Sequence, residues 1–177
     1  PNRTLNLHVE ANDSNFTQFT NSTTGEVGSN GFLVGIGSAG NAELWNYEAQ
    51  PIIFATNSTE RMRIDSSGNV GMTITPESWN TDFRAIQMGT GGSSVFGGAT
   101  TNRNVGLGQN TYLSTGGDWK YTQADHASLI TAYDGTMEFN VAGSGSADAN
   151  ISWTNAVKID NAGNVTKPAQ PVFDAGR

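Results

Sequence analysis

Cysteine is absent from the 177 residues. Disulfides, thiolate nucleophiles and cysteine-based zinc sites are thereby excluded. Basic residues are scarce: nine Lys and Arg stand against sixteen Asp and Glu, a formal net charge of −7. The nine are scattered, whereas nucleic acid and anionic membranes both call for clustered cations, so neither is expected as the main partner. No apolar run approaches the ~18 residues of a membrane-crossing helix, and no membrane insertion is expected. Hydrophobic residues make up 36% and charged ones 14% of the chain, too little of either for an ordinary core and a charged shell. Gly, Asn, Ser and Thr dominate instead. These types favour turns and exposed strand faces over helix interiors, so very little helix is expected.

What is present argues against disorder. Four Trp, eight Phe and four Tyr recur along the chain, mostly beside β-branched residues, as in short strands that pack on something. A chain so poor in apolar residues finds that something in copies of itself, because an obligate oligomer buries surface that a monomer exposes. Thr4 to Val9 alternates, with Leu5, Leu7 and Val9 on one face. Other strand-like runs are 31–36, 43–47, 52–55, 61–64, 70–74, 83–88, 128–133, 137–141 and 157–159. Gly89 to Ser94 and Gly143 to Ser146 read as turn tracts between them. Strands this short predict hairpins or a wrapped prism in place of a wide sheet.

An internal repeat is the most informative feature. Arg63-Ile64-Asp65-Ser66-Ser67-Gly68-Asn69-Val70 aligns without gaps to Lys158-Ile159-Asp160-Asn161-Ala162-Gly163-Asn164-Val165. The pattern predicts a β-hairpin in which Asp begins the turn through its side chain and Gly supplies positive φ before the return strand. Asp65, Gly68 and Asn69, with Asp160, Gly163 and Asn164, are the expected structural turn residues. Pro1 and Pro76 each precede a strand-like run, which divides the chain into units 1–75 and 76–167, with a linker at 168–177. Pro1 is followed by no signal-like segment, as expected of a piece of a longer polypeptide.

Glu60-Arg61-Met62-Arg63-Ile64-Asp65-Ser66-Ser67-Gly68-Asn69-Val70-Gly71, ending at Pro76, resembles the repeated strand-turn-strand signature in the shafts of phage tail fibres and related viral adhesins. That family usually continues Val-Gly-Ile-Gly-Thr-Thr before the Pro, where this chain has Val70-Gly71-Met72-Thr73-Ile74-Thr75. Trp45 to Phe54 and the stretch from Ile151 to the second hairpin look like shaft-repeat cores. Lys167 to Phe173 looks like the entry to a complement-type jelly-roll head, whose body would follow. The middle, from Gly89 to Ala124, carries little of the likeness. The resemblance implies an all-β, elongated, intertwined homotrimeric fibre, a β-prism or β-helix-like shaft. It would sit in the virion tail fibre, outside the cell. Its partners would be other tail-fibre or baseplate proteins and a host cell-surface receptor, a glycan among the candidates.

Catalytic patterns are weak by comparison. Gly35-Ile36-Gly37-Ser38-Ala39-Gly40 matches a dinucleotide loop in letters, but no regular βα alternation follows, so a Gly-rich strand and turn is the better reading. Asp125, His126 and Ser128 contain triad residue types without the spacing that brings them together on a strand. His8 and His126 are the only histidines, and neither has a partner at metal-ligand spacing. Asp118, Asp125 and Glu138 lie near aromatics, the only hint of a glycan-cleaving carboxylate pair. No enzyme, cofactor or metal site is expected. Trp119 and Tyr121, beside Gly116 and Gly117, are candidate glycan contacts, and Trp79 is a weaker one; the alternative for each is core packing. The rival functions are a cellular adhesin or filament subunit and a polysaccharide-degrading tailspike.

Overall fold

The computed structural model describes residues 8, 13–99 and 103–168. Among them there is no helix, and fifteen strands carry the chain, so the protein is all-β. The Thr4 to Val9 run lies outside the described residues apart from an exposed His8, and so does most of Lys167 to Phe173. Contacts divide the chain into two compact units, Pro1–Ile52 and Ile53–Arg177.

In the first unit, β1 (Asn15–Phe19), β2 (Phe32–Ile36) and β3 (Ala42–Asn46) form an antiparallel meander. Leu33 is its buried apolar side chain. The long β1–β2 loop is clasped by Gln18, whose amide donates to the carbonyls of Val27 and Asn30, both at 2.9 Å. The Gly35 to Gly40 segment is the end of β2 and a tight turn into β3, with no helix after it.

The second unit is built on a ten-stranded sheet. Its strands are β4 (Ile52–Thr56), β5 (Thr59–Ile64), β6 (Val70–Met72), β7 (Phe83–Met88), β8 (Ser93–Gly98), β9 (Val105–Gln109), β12 (Asp125–Tyr133), β13 (Thr136–Gly145), β14 (Thr154–Ile159) and β15 (Val165–Thr166). A two-stranded ribbon, β10 (Thr111–Leu113) and β11 (Trp119–Tyr121), is inserted between β9 and β12. This sheet is wider than the short strands predict, because five of its nine connections are turns of two to five residues that set successive strands side by side. Asn57 and Ser58 make one of them with φ of 50° and 56°, the two positive values that a type I′ loop requires. Among the described strands the parallel pair is β6 with β7. The expected division at residue 75 falls in the crossover between these two paired strands.

The two faces of the sheet differ. One carries Phe83, Ala85, Phe96 and Leu129, over which lie the crossover, with Trp79, and the ribbon, with Tyr112; these six residues form the buried core. Trp79 stacks on Phe96 at 5.4 Å, and Phe96 lies 5.9 Å from Phe83 and 5.4 Å from Trp119. Full burial of each large apolar side chain contributes about 1.5–3 kcal/mol. Gly106 pairs with Phe96 across β8 and β9, and a Cβ at Gly106 would fall within the Phe96 ring. Only glycine lets the ring lie flat there.

The opposite face is apolar and bare. Register partners run across eight strands as one row: Ile64, Val70, Ile86, Val95, Leu107, Ile130, Phe139 and Val157. Of these, Ile86 is 45% and Leu107 53% exposed. Met72, Met88, Val105, Met137 and Val141 widen the stripe and are exposed as well.

Candidate functional site

The repeated turns close identically. Asp65 Oδ1 accepts from the amides of Ser67 (2.9 Å) and Asn69 (2.8 Å), and Asp160 Oδ1 from those of Ala162 (2.9 Å) and Asn164 (2.8 Å). The Asn69 and Asn164 side-chain amides donate to the second Asp oxygen at 3.2 and 2.9 Å. Gly68 and Gly163 have φ of 85° and 84°. The Asn164 side-chain bond, then the backbone amides, hold the Asp160 carboxyl below the ordinary aspartate range. Asn69 has a further role that Asn164 lacks: it is buried, and its Oδ1 accepts from the Ala85 amide at 3.1 Å. The first turn therefore stitches β6 to its parallel neighbour, while the second faces solvent.

Two more turns share the backbone geometry and were not legible as repeats. Gly37 to Asn41 and Ser114 to Asp118 show the same pair of main-chain bonds, with Gly40 and Gly117 at φ of 84° and 89°. Neither begins with Asp, so the shared signal is only a Gly at the fourth position followed by Asn or Asp. The turns act as scaffold: they set the registers from which both sheet faces follow.

The catalysis-like residues do not converge. Asp125 Oδ1 meets His126 Nδ1 at 3.0 Å, a contact between two exposed side chains allowed by the register shift between Asp125 and Ala127. This bond with His126 lowers the Asp125 carboxyl pKa. The Ser128 hydroxyl faces Gln109 instead, at 3.5 Å. Asp118 is exposed and serves through its backbone in a turn. Among the described residues no cluster of three or more His, Cys, Asp or Glu is placed to hold a metal.

The aromatic candidates separate. Tyr121 is 5% exposed and its hydroxyl donates to the Gly143 carbonyl at 2.6 Å, so it is a core residue and no ligand platform; Trp79 is core too. Trp119 borders an open groove of about 350 Å³ on the covered side of the sheet, beside the ribbon. Trp153, which lies in the stretch that looks like a shaft-repeat core, forms the other aromatic wall, its ring 6.4 Å from Trp119 at 78°. Leu129 and Thr131 form its floor strand with Tyr133, and Glu138, Asn140 and Asn104 complete the lining. Glu138 Oε1 accepts from Lys158 Nζ at 2.9 Å and from the Tyr133 hydroxyl at 3.1 Å. The Lys158 bond, against partial burial and with help from Tyr133, keeps the Glu138 carboxyl below the ordinary glutamate range.

No protein-family model matches the chain, and no curated protein matches it.

Proposed function

We propose that the chain is a non-catalytic structural segment of a fibre, a viral tail fibre by the resemblance of its hairpin repeat, that assembles as a homotrimer through the bare face of the ten-stranded sheet. It would hold a receptor-binding tip away from the particle. The observation that carries this reading is the eight-strand apolar row, which no described residue of the unit that bears it covers. Monomeric proteins rarely expose contiguous apolar patches beyond a few hundred Å². Two shallow depressions of about 370 and 320 Å³ on this face, one at Ile86 and Val95 and one at Leu107 and Ile130, would receive side chains of a neighbouring copy.

A closed three-fold ring requires each chain to offer surface to two others.

Light scattering on the purified chain at micromolar concentration tests this, with a mass of three chains expected. Burying the exposed half of Leu107 is worth about 1 kcal/mol per chain, and an unpaired carboxylate in its place costs several times that. Leu107→Glu and Ile130→Glu should therefore give folded monomers with the parent far-UV spectrum. A monomeric parent overturns the assembly, and a dimeric one overturns its three-fold form.

A further inference from the structure

We infer that the groove bordered by the edge-to-face pair Trp119 and Trp153 binds a neutral saccharide, one or two pyranose rings long. The groove lies on the sheet face opposite the apolar row. Tyr133 alternates with Ile130 and Ala132 along β12, and Glu138 and Asn140 alternate with Met137, Phe139 and Val141 along β13. It therefore stays open whether or not copies meet on the other side.

Its chemistry selects the ligand class. Two indoles at 78° to each other form a corner in which the apolar C–H face of a pyranose covers one ring and its edge meets the other. Around that corner stand groups suited to hydroxyls. Glu138 is ionised at neutral pH, and its bonds from Lys158 and Tyr133 both end on Oε1, so Oε2 keeps acceptor capacity even with the Asn140 side chain beside the carboxylate. The Asn104 amide can both donate and accept, whereas the Asn140 Oδ1 already accepts from Asn155 Nδ2 at 3.1 Å. An apolar ligand would strand these groups without partners. An anionic ligand finds no cation in the lining, the neighbouring Lys158 being paired with Glu138, and it would meet the Glu138 charge. The volume of about 350 Å³ is at the small end of ligand pockets. Glu138 is the one carboxylate in the lining, whereas glycoside cleavage takes two facing each other. The groove binds a sugar and leaves it intact.

The test is titration of the full chain with neutral oligosaccharides of glucose, galactose, mannose and N-acetylglucosamine, with sialylated and uronate oligosaccharides as comparators. Binding is followed by calorimetry and by tryptophan fluorescence. Saturable binding of at least one neutral sugar is expected, with the acidic ones weaker. Loss of one hydrogen bond to a charged or amide group in the site corresponds to about fivefold or more in affinity. Glu138→Gln and Asn104→Ala should each show that loss, with circular dichroism and particle mass unchanged. Should Glu138→Gln misfold through loss of its Lys158 pair, Asn104→Ala at the groove edge decides alone. No saturation by any neutral sugar up to about 10 mM, stronger binding of the acidic ones, or undiminished binding by Asn104→Ala would overturn the assignment. None of these results bears on self-association, which is read from the mass.

Discussion

The two Asp-Gly-Asn turns offer an internal experiment, because the same motif stands once in the core and once in solvent. Replacing Asn69 by Ala removes the acceptor of the Ala85 amide (3.1 Å) and the donor to Asp65 (3.2 Å) in a residue that is 2% exposed. A buried N–H left without a partner costs about 1–3 kcal/mol. Asn164→Ala removes only the 2.9 Å bond to Asp160 at an exposed turn, where water replaces the lost partner and about 0.5–1 kcal/mol is expected. Urea unfolding at one fixed chain concentration, followed by tryptophan fluorescence, should therefore place Asn69→Ala well below Asn164→Ala in midpoint. Hydrogen exchange supplies the local readout: the Ala85 amide should exchange faster in Asn69→Ala and at the parent rate in Asn164→Ala. Equal destabilisation by the two substitutions, or an unchanged Ala85 rate in Asn69→Ala, would refute the claim that the first turn is tied to β7 through this side chain.

Two further outcomes follow from local geometry. Thr73 has φ of 59°, a region that costs a β-branched residue about 1–2 kcal/mol, and it stands where the tail-fibre pattern has Gly. Thr73→Gly should therefore raise the urea midpoint, less the greater chain entropy of glycine; a lower midpoint would show that the Thr73 hydroxyl bond to the Met72 carbonyl (2.7 Å) outweighs the strain. Burial first, and then the Asp148 carboxylate, raise the Glu77 pKa above its ordinary 4.5. The folded state thus holds this proton more tightly than the unfolded one, so stability is lost as pH rises through the raised value and recovered as pH falls toward the ordinary one. Glu77→Gln should be more stable than the parent at about pH 7 and lose that advantage near about pH 4; an equal difference at both would place the effect outside this titration.

Strand chemistry and turn chemistry were legible from residue order alone. The absence of helix, the position of most outer strands and the hydrogen-bonding frame of the Asp65 and Asp160 turns all follow from interactions within a few residues. Period-two alternation at 83–88 and 137–141, an Asp with free backbone amides ahead of it and a Gly at positive φ are local facts. The centre of the sheet was not legible. Strands β8 and β9 run through Ser93–Gly98 and Val105–Gln109; neither is among the strand-like runs, and β8 begins inside the Gly89 to Ser94 turn tract. Here Gly106 is instead a strand residue made small by the Phe96 ring lying over it, a constraint that exists only once the two strands are paired. The same holds for the division of the aromatics. Trp119 and Tyr121 lie two apart on one strand, yet the first borders the groove and the second is buried, because segments distant in sequence cover one and not the other. Residue order set what each strand is. Only the tertiary pairing of eight of them aligned their apolar positions into one row, and the same pairing placed Trp119, Trp153 and Glu138 around one groove.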